Sequence, residues 1–147
     1  MSNEIQILVM THGNLGRELI KTAAMFVPQT ETIGFIGLYE EDSIVVYQEK
    51  LSKLLDHSKD LLILTDMLTA TTTRIAIQTL KRGRVEIISG INLIMLITAH
   101  REKNMYNIDE LCELVHNIAK QDIVNIRKHI YEVEERGEIC LYEILVI

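Results

Sequence analysis

The chain is poor in the residues that interrupt or cross-link a fold. One proline and seven glycines are spread over 147 residues, with no low-complexity tract and no internal repeat. No interdomain linker is expected, and residues 1–147 read as a single domain. The two cysteines, Cys112 and Cys140, form neither a CxxC pair nor a metal-finger spacing. Both fall in apolar patterns, one helical and one strand-like, which makes them core residues of a protein in a reducing compartment. The opening Met1-Ser2-Asn3-Glu4 lacks a basic n-region, and the apolar run behind it is far too short for a signal or a membrane span. A cytoplasmic protein without direct membrane insertion is expected. Positive charge is also scarce, 15 basic against 21 acidic residues for a net charge of −6, which argues against nucleic acid as a partner. The cluster Lys81-Arg82-Gly83-Arg84 runs against that trend; it reads as a solvated helix end or as part of a docking surface. There is no HExxH, no phosphate-binding P-loop and no GxSxG serine elbow. His57, His116 and His129 fall on or at the ends of helices without a second ligand at metal spacing, and His100 reads as a helix-end residue. No metal site is expected.

What is present is alternation. Short β-branched runs at 4–10, 31–38, 60–66, 85–90 and 138–147 read as strands. Longer periodic stretches at 15–27, 42–57, 70–82 and 108–136, with a shorter one near 93–101, read as helices. The first helix gathers Leu15, Leu19, Ile20, Ala23, Ala24 and Val27 on one face and stops at Pro28; the second opens on the capping pair Asp42-Ser43. Repeated strand–helix–strand units imply right-handed crossovers and an α/β fold with an open, mainly parallel, doubly wound sheet flanked by helices. The last run, Glu138 to Ile147, follows a charged helix end and would be an aggregation-prone edge if left exposed. It must pair with its own sheet or a partner's, and exchange within a dimer is the preferred expectation.

In such a fold, ligands and chemistry collect at the carboxyl ends of the strands. The first strand runs into Thr11-His12-Gly13-Asn14, and the third, Leu61 to Thr65, ends in Asp66. A histidine there can act as base, ligand or nucleophile. Gly13 and Gly16 would let the backbone approach a ligand, and the helix that follows would offer N–H groups to an anion. Taken alone, His12 also reads as a polar turn residue. Asp66 could fix the imidazole tautomer and leave the other nitrogen free to attack, or it could cap the next helix. Four threonines in five positions, Thr69, Thr71, Thr72 and Thr73, open that helix. Thr69, Thr71 or Thr72 could donate to a phosphoryl oxygen, with Arg74 in support, or simply cap. Asn92, after strand four, could cap the short helix or line the same crevice.

Thr11-His12-Gly13, Asp66, Gly90-Ile91-Asn92-Leu93-Ile94-Met95-Leu96 and, in the first helix, Ala23-Ala24-Met25 resemble the IIA component of the mannose-type sugar phosphotransferase system over roughly residues 4–130. The resemblance implies a parallel sheet flanked by helices, with a C-terminal antiparallel strand exchanged in a homodimer. It implies that His12 is phosphorylated by the phosphocarrier HPr and passes the group to a IIB component, with no cofactor. The transported sugar would be handled by membrane components such as IIC and IID. Asp66 would orient His12, and Thr71 would line a phosphoryl pocket with Gly13, Thr69, Thr72 and Asn92 near it. Where the family carries a glycine pair, a hydroxyl residue and a proline after the aspartate, this chain has Thr69-Ala70-Thr71-Thr72, and its strand-four proline is Ile94 here. The lost glycines remove backbone freedom close to the site. The alternatives are a regulatory or binding module on the same fold, with altered or lost transfer, or a small anion or nucleotide binder.

Overall fold

The first strand, β1 (Ile5–His12), is continuously apolar from Ile7 to Met10, and its side chains divide between two cores. Ile5, Ile7 and Val9 enter one; Leu8 and Met10 enter the other. A strand buried on both faces must be continuously hydrophobic, because successive residues point to opposite sides. The computed structural model describes residues 3–137, so the run 138–147 expected as an exchanged strand lies outside the described residues. In chain order the other elements are α1 (Leu15–Ala23), β2 (Gly34–Leu38), α2 (Ile44–Leu54), β3 (Asp60–Thr65), α3 (Thr71–Ile77), β4 (Val85–Ile88), α4 (Leu93–Glu102), α5 (Ile108–Asp122) and α6 (Ile126–Glu135).

The four strands form one parallel sheet in the order β2-β1-β3-β4. Residues of α1, α4 and α5 cover one face, and residues of α2 and α3 the other. The fold is therefore the open, doubly wound α/β architecture expected. At the centre of β3, Leu61, Leu62, Ile63 and Leu64 are each fully buried. Each such side chain contributes about 1.5–3 kcal/mol of burial, so a one-residue slip of this strand would be costly. The chain leaves β1 first toward β2 and later returns on the other side to β3. That reversal makes a crevice at the carboxyl end of β1.

Several expected boundaries differ. The first helix ends at Ala23, four residues before the expected Val27, and Thr30–Thr32 form a 3-10 turn where strand two was expected to begin. The third helix tightens into a 3-10 turn at Gln78–Arg82. The long helix expected over 108–136 is two helices, because the chain turns extended at Ile123 and Asn125 restarts it by accepting from the Lys128 N–H (3.2 Å). The basic cluster is structural in part. Arg82 donates to the carbonyls of Lys59 (2.6 Å) and Asp56 (3.3 Å), and Arg84 pairs with Asp60 (2.6 Å). His100 lies in the last turn of α4, as expected, and is buried there with its Nε2 2.7 Å from the Pro28 carbonyl. Among the described residues no helix is long and apolar enough to cross a membrane.

Candidate functional site

His12 is the last residue of β1, and Asp66 follows the last residue of β3, the strand beside it. Parallel pairing places the two strand ends level, with Met10 opposite Thr65. Asp66 Oδ2 lies 2.6 Å from His12 Nδ1 and also accepts the His12 backbone N–H at 2.8 Å. Its other oxygen accepts the Met67 N–H (3.0 Å) and the Thr72 hydroxyl (2.7 Å). Burial would raise this carboxyl. The hydrogen bonds from the His12 N–H, the Thr72 hydroxyl and the His12 ring outweigh it and hold the group below the ordinary carboxylate range. An ionised carboxylate can only accept, so the neutral His12 ring carries its proton on Nδ1 and its lone pair on Nε2. The imidazole is 46% exposed against 7% for its partner carboxylate. A buried anion thus orients an accessible base.

The β1–α1 turn is fastened on both sides. Gly13 adopts φ +51°, a left-handed conformation that glycine takes without strain, and donates to the Leu38 carbonyl (2.8 Å). The Tyr39 hydroxyl donates to Asn14 Oδ1 (2.5 Å), tying the turn to the end of β2. Gly16 has a different role from the one expected of it. Its N–H is taken by the buried Thr11 hydroxyl oxygen (2.9 Å). A Cβ at Gly16 would stand 2.5 Å from Val9 Cγ1 and 2.9 Å from the Phe35 ring. The residue lets α1 pack on the sheet and is not a ligand approach.

A cavity of about 500 Å³ opens beside His12 and Gly13, walled by Tyr39, Glu40, Asp42, Ile44 and Thr71. The threonine-rich segment divides its labour. Thr71 lines the cavity and its Oγ1 accepts from the Arg74 guanidinium (3.2 Å), so the hydroxyl's own proton remains available to donate. Thr72 is fully buried and spends its hydroxyl on Asp66. Thr73 bonds the Met67 carbonyl (2.6 Å) and the Thr65 hydroxyl (2.7 Å). Thr69 is exposed on the loop, away from the cavity lining. None of these threonines is the N-cap of α3; Ala70 occupies that position, and Asp66 does not cap the helix either. Asn92 caps α4, accepting from the Met95 N–H (3.0 Å), and it does not line the cavity.

Sequence reasoning missed the far wall. Tyr39, Glu40 and Asp42 follow the last residue of β2, so the strand-end rule that singled out His12 and Asp66 applied to them as well. Asp42, expected as a cap, instead accepts the Tyr39 N–H (3.0 Å) and has Lys50 at 3.8 Å; the cap of α2 is Ser43. Burial first, then the charges of Asp66 and Asp42, hold the Tyr47 hydroxyl above its ordinary range, so it stays protonated toward the Ile36 carbonyl (3.3 Å).

A parallel α/β sheet with a strand-end histidine held by a neighbouring strand-end aspartate defines a class of small crevice-site proteins. Residues 6–116 match the family model described as PTS system fructose IIA component, and the chain belongs to this mannose-type family of phosphotransferase-system IIA components. It is 30% identical over 125 residues to the PTS system mannose-specific EIIAB component of Escherichia coli strain K12, a match covering 81% of this chain. The chain spans 38% of the length of that relative. Among solved structures it resembles a PTS IIA protein associated with the fucose utilization operon of Streptococcus pneumoniae, with 27% identity, 87% and 97% of the two chains covered, and TM-score 0.72. It shares its fold with a mannose/sorbose specific IIA subunit from Enterococcus faecalis, at 23% identity, 85% and 95% coverage and TM-score 0.75.

Proposed function

We propose that residues 1–147 act as a single cytoplasmic IIA domain whose His12 accepts a phosphoryl group from phospho-HPr and passes it to a IIB component. The observation that carries this reading is the 2.6 Å contact of His12 Nδ1 with Asp66. The tautomer it selects gives Nε2 the lone pair for attack on phosphorus. As the new P–Nε2 bond forms, the P–N bond to the HPr histidine breaks and its electron pair returns to that ring. The phosphorylated His12 ring gains cationic character, which the Asp66 carboxylate offsets. The Thr71 hydroxyl, backed by Arg74, is placed to donate to a phosphoryl oxygen. Glu40 and Asp42 on the opposite wall disfavour a resident phosphate, which suits a carrier that must give the group away. Little covalent chemistry is asked of the protein beyond positioning and charge stabilisation.

The test is incubation with phosphoenolpyruvate, enzyme I and HPr, followed by a search for an acid-labile, base-stable phosphate that is absent from His12→Ala. No label on the unaltered chain overturns the reading. Label that forms but never moves to a cognate IIB replaces the carrier with a regulatory module on the same site.

A further inference from the structure

Tyr39 separates the His12 cavity from a second cleft of about 310 Å³ that carries the opposite charge. The second cleft is floored by β2, an edge strand of the sheet. Arg17 from α1 and Lys50 and Lys53 from α2 reach over it, against Phe35, Tyr39 and Leu54. Outside the cleft, Lys21–Glu18, Lys59–Glu4, Arg84–Asp60, Arg101–Glu102 and Lys128–Glu132 form ion pairs. In the cleft they are hardly compensated. Lys50 has only Asp42 at 3.8 Å, and Lys53 forms no ion pair among the described residues. The Arg17 guanidinium stands 5.5 Å from the centre of the Phe35 ring, which holds it in place without neutralising it.

Three cations on one concavity repel each other and weaken the fold unless something offsets them, yet the chain as a whole is acidic, at net charge −6. A cleft lined by one sign of charge over apolar walls focuses its field on whatever enters. We propose that this cleft binds a compact small-molecule dianion or trianion, a phosphate ester or a polycarboxylate. The Arg17 fork suits a planar or tetrahedral oxyanion, and the two ammonium groups supply mobile point charges around it. Phe35 and Leu54 give the carbon skeleton an apolar surface. Ligand pockets start at about 300 Å³, so the cleft has room for one small metabolite and not for a dinucleotide. The bound anion would lie against Tyr39, whose hydroxyl holds Asn14, two residues beyond His12.

The experiment is a heteronuclear NMR titration of the full chain at low salt, with inorganic phosphate, a hexose bisphosphate and citrate as separate probes. The expected result is saturable shifts of the Arg17, Phe35, Tyr39 and Lys53 amides with the bisphosphate or with citrate, the stronger of the two naming the ligand class. Affinity should fall about tenfold or more in the Arg17→Gln/Lys53→Gln double variant and with added salt. It should be unchanged in His12→Ala, which also separates this proposal from the phosphoryl-carrier reading. Shifts centred on His12 and Thr71, undiminished binding in the double variant, response to inorganic phosphate alone, or no saturable response to any probe overturns it.

Discussion

A single oxygen, Oδ2 of Asp66, holds His12 at two points, the backbone N–H at 2.8 Å and the ring Nδ1 at 2.6 Å. The first bond locks the end of β1 to the loop after β3, and the second sets the plane and tautomer of the imidazole. The carboxylate cannot swing away from the ring without also releasing the strand end. Its remaining oxygen is anchored by Met67 and Thr72, so the orienting group is itself oriented.

Replacing Asp66 by Asn keeps the shape but removes the charge and the pure acceptor. The rate of phosphoryl acceptance by His12 should fall by about 10²–10⁴-fold, measured by rapid quench with labelled phosphoenolpyruvate and the purified upstream components. A loss of less than about tenfold would remove Asp66 from the reaction.

Neighbouring threonines should separate function from stability. Thr72→Val strips a buried carboxylate of one donor and should cost about 1.5–3 kcal/mol in urea unfolding. Thr71→Val removes a cavity hydroxyl and should leave stability within about 0.5 kcal/mol while slowing transfer. Equal stability losses in the two variants would contradict this division.

Acid should expose the same carboxylate. The folded-state pKa of Asp66 is depressed, so the stability it contributes is fully present above the ordinary carboxylate range and is lost as pH falls through the lower folded value. The melting temperature of Asp66→Asn, followed below about pH 4, should therefore decline less steeply than that of the unaltered chain.

The two glycines flanking Asn14 and Leu15 should respond to alanine for different reasons. At Gly16 the new methyl meets Val9 and Phe35, and overpacking should cost about 1–3 kcal/mol. At Gly13 no atom lies within 4 Å of the added Cβ, and only the left-handed φ is penalised, by about 1–2 kcal/mol. Crystal structures of the variants should show α1 displaced from the sheet in the first and left in place in the second.

The strand exchange expected from the sequence predicts that the full chain runs as a dimer in light scattering and that a chain lacking residues 138–147 runs as a monomer. A truncated chain that stays dimeric refutes strand exchange.

The covered parallel sheet was legible because the buried runs of β1 and β3 are apolar on both faces. The His12–Asp66 pair was legible from the strand-end rule alone. The divided work of the threonines was not, since Thr71, Thr72 and Thr73 differ only in which way the first turn of α3 points them. The break between α5 and α6 was missed because the amphipathic pattern carries on through Ile123 and Ile126, and only Asn125 signals a restart. Gly16 was misjudged because spacing cannot distinguish a glycine that admits a ligand from one that admits a neighbouring strand.

The Thr11 hydroxyl that accepts the Gly16 N–H is wholly buried. Deuterium can reach that amide only when β1 and α1 part, which opens the inner strand of the sheet. The Gly16 amide should therefore exchange slowly, at the rate at which β1 and α1 part, although it lies four residues from an exposed imidazole. A protein meeting His12 would encounter an exposed side chain carried beside a backbone amide that is released only when strand and helix separate.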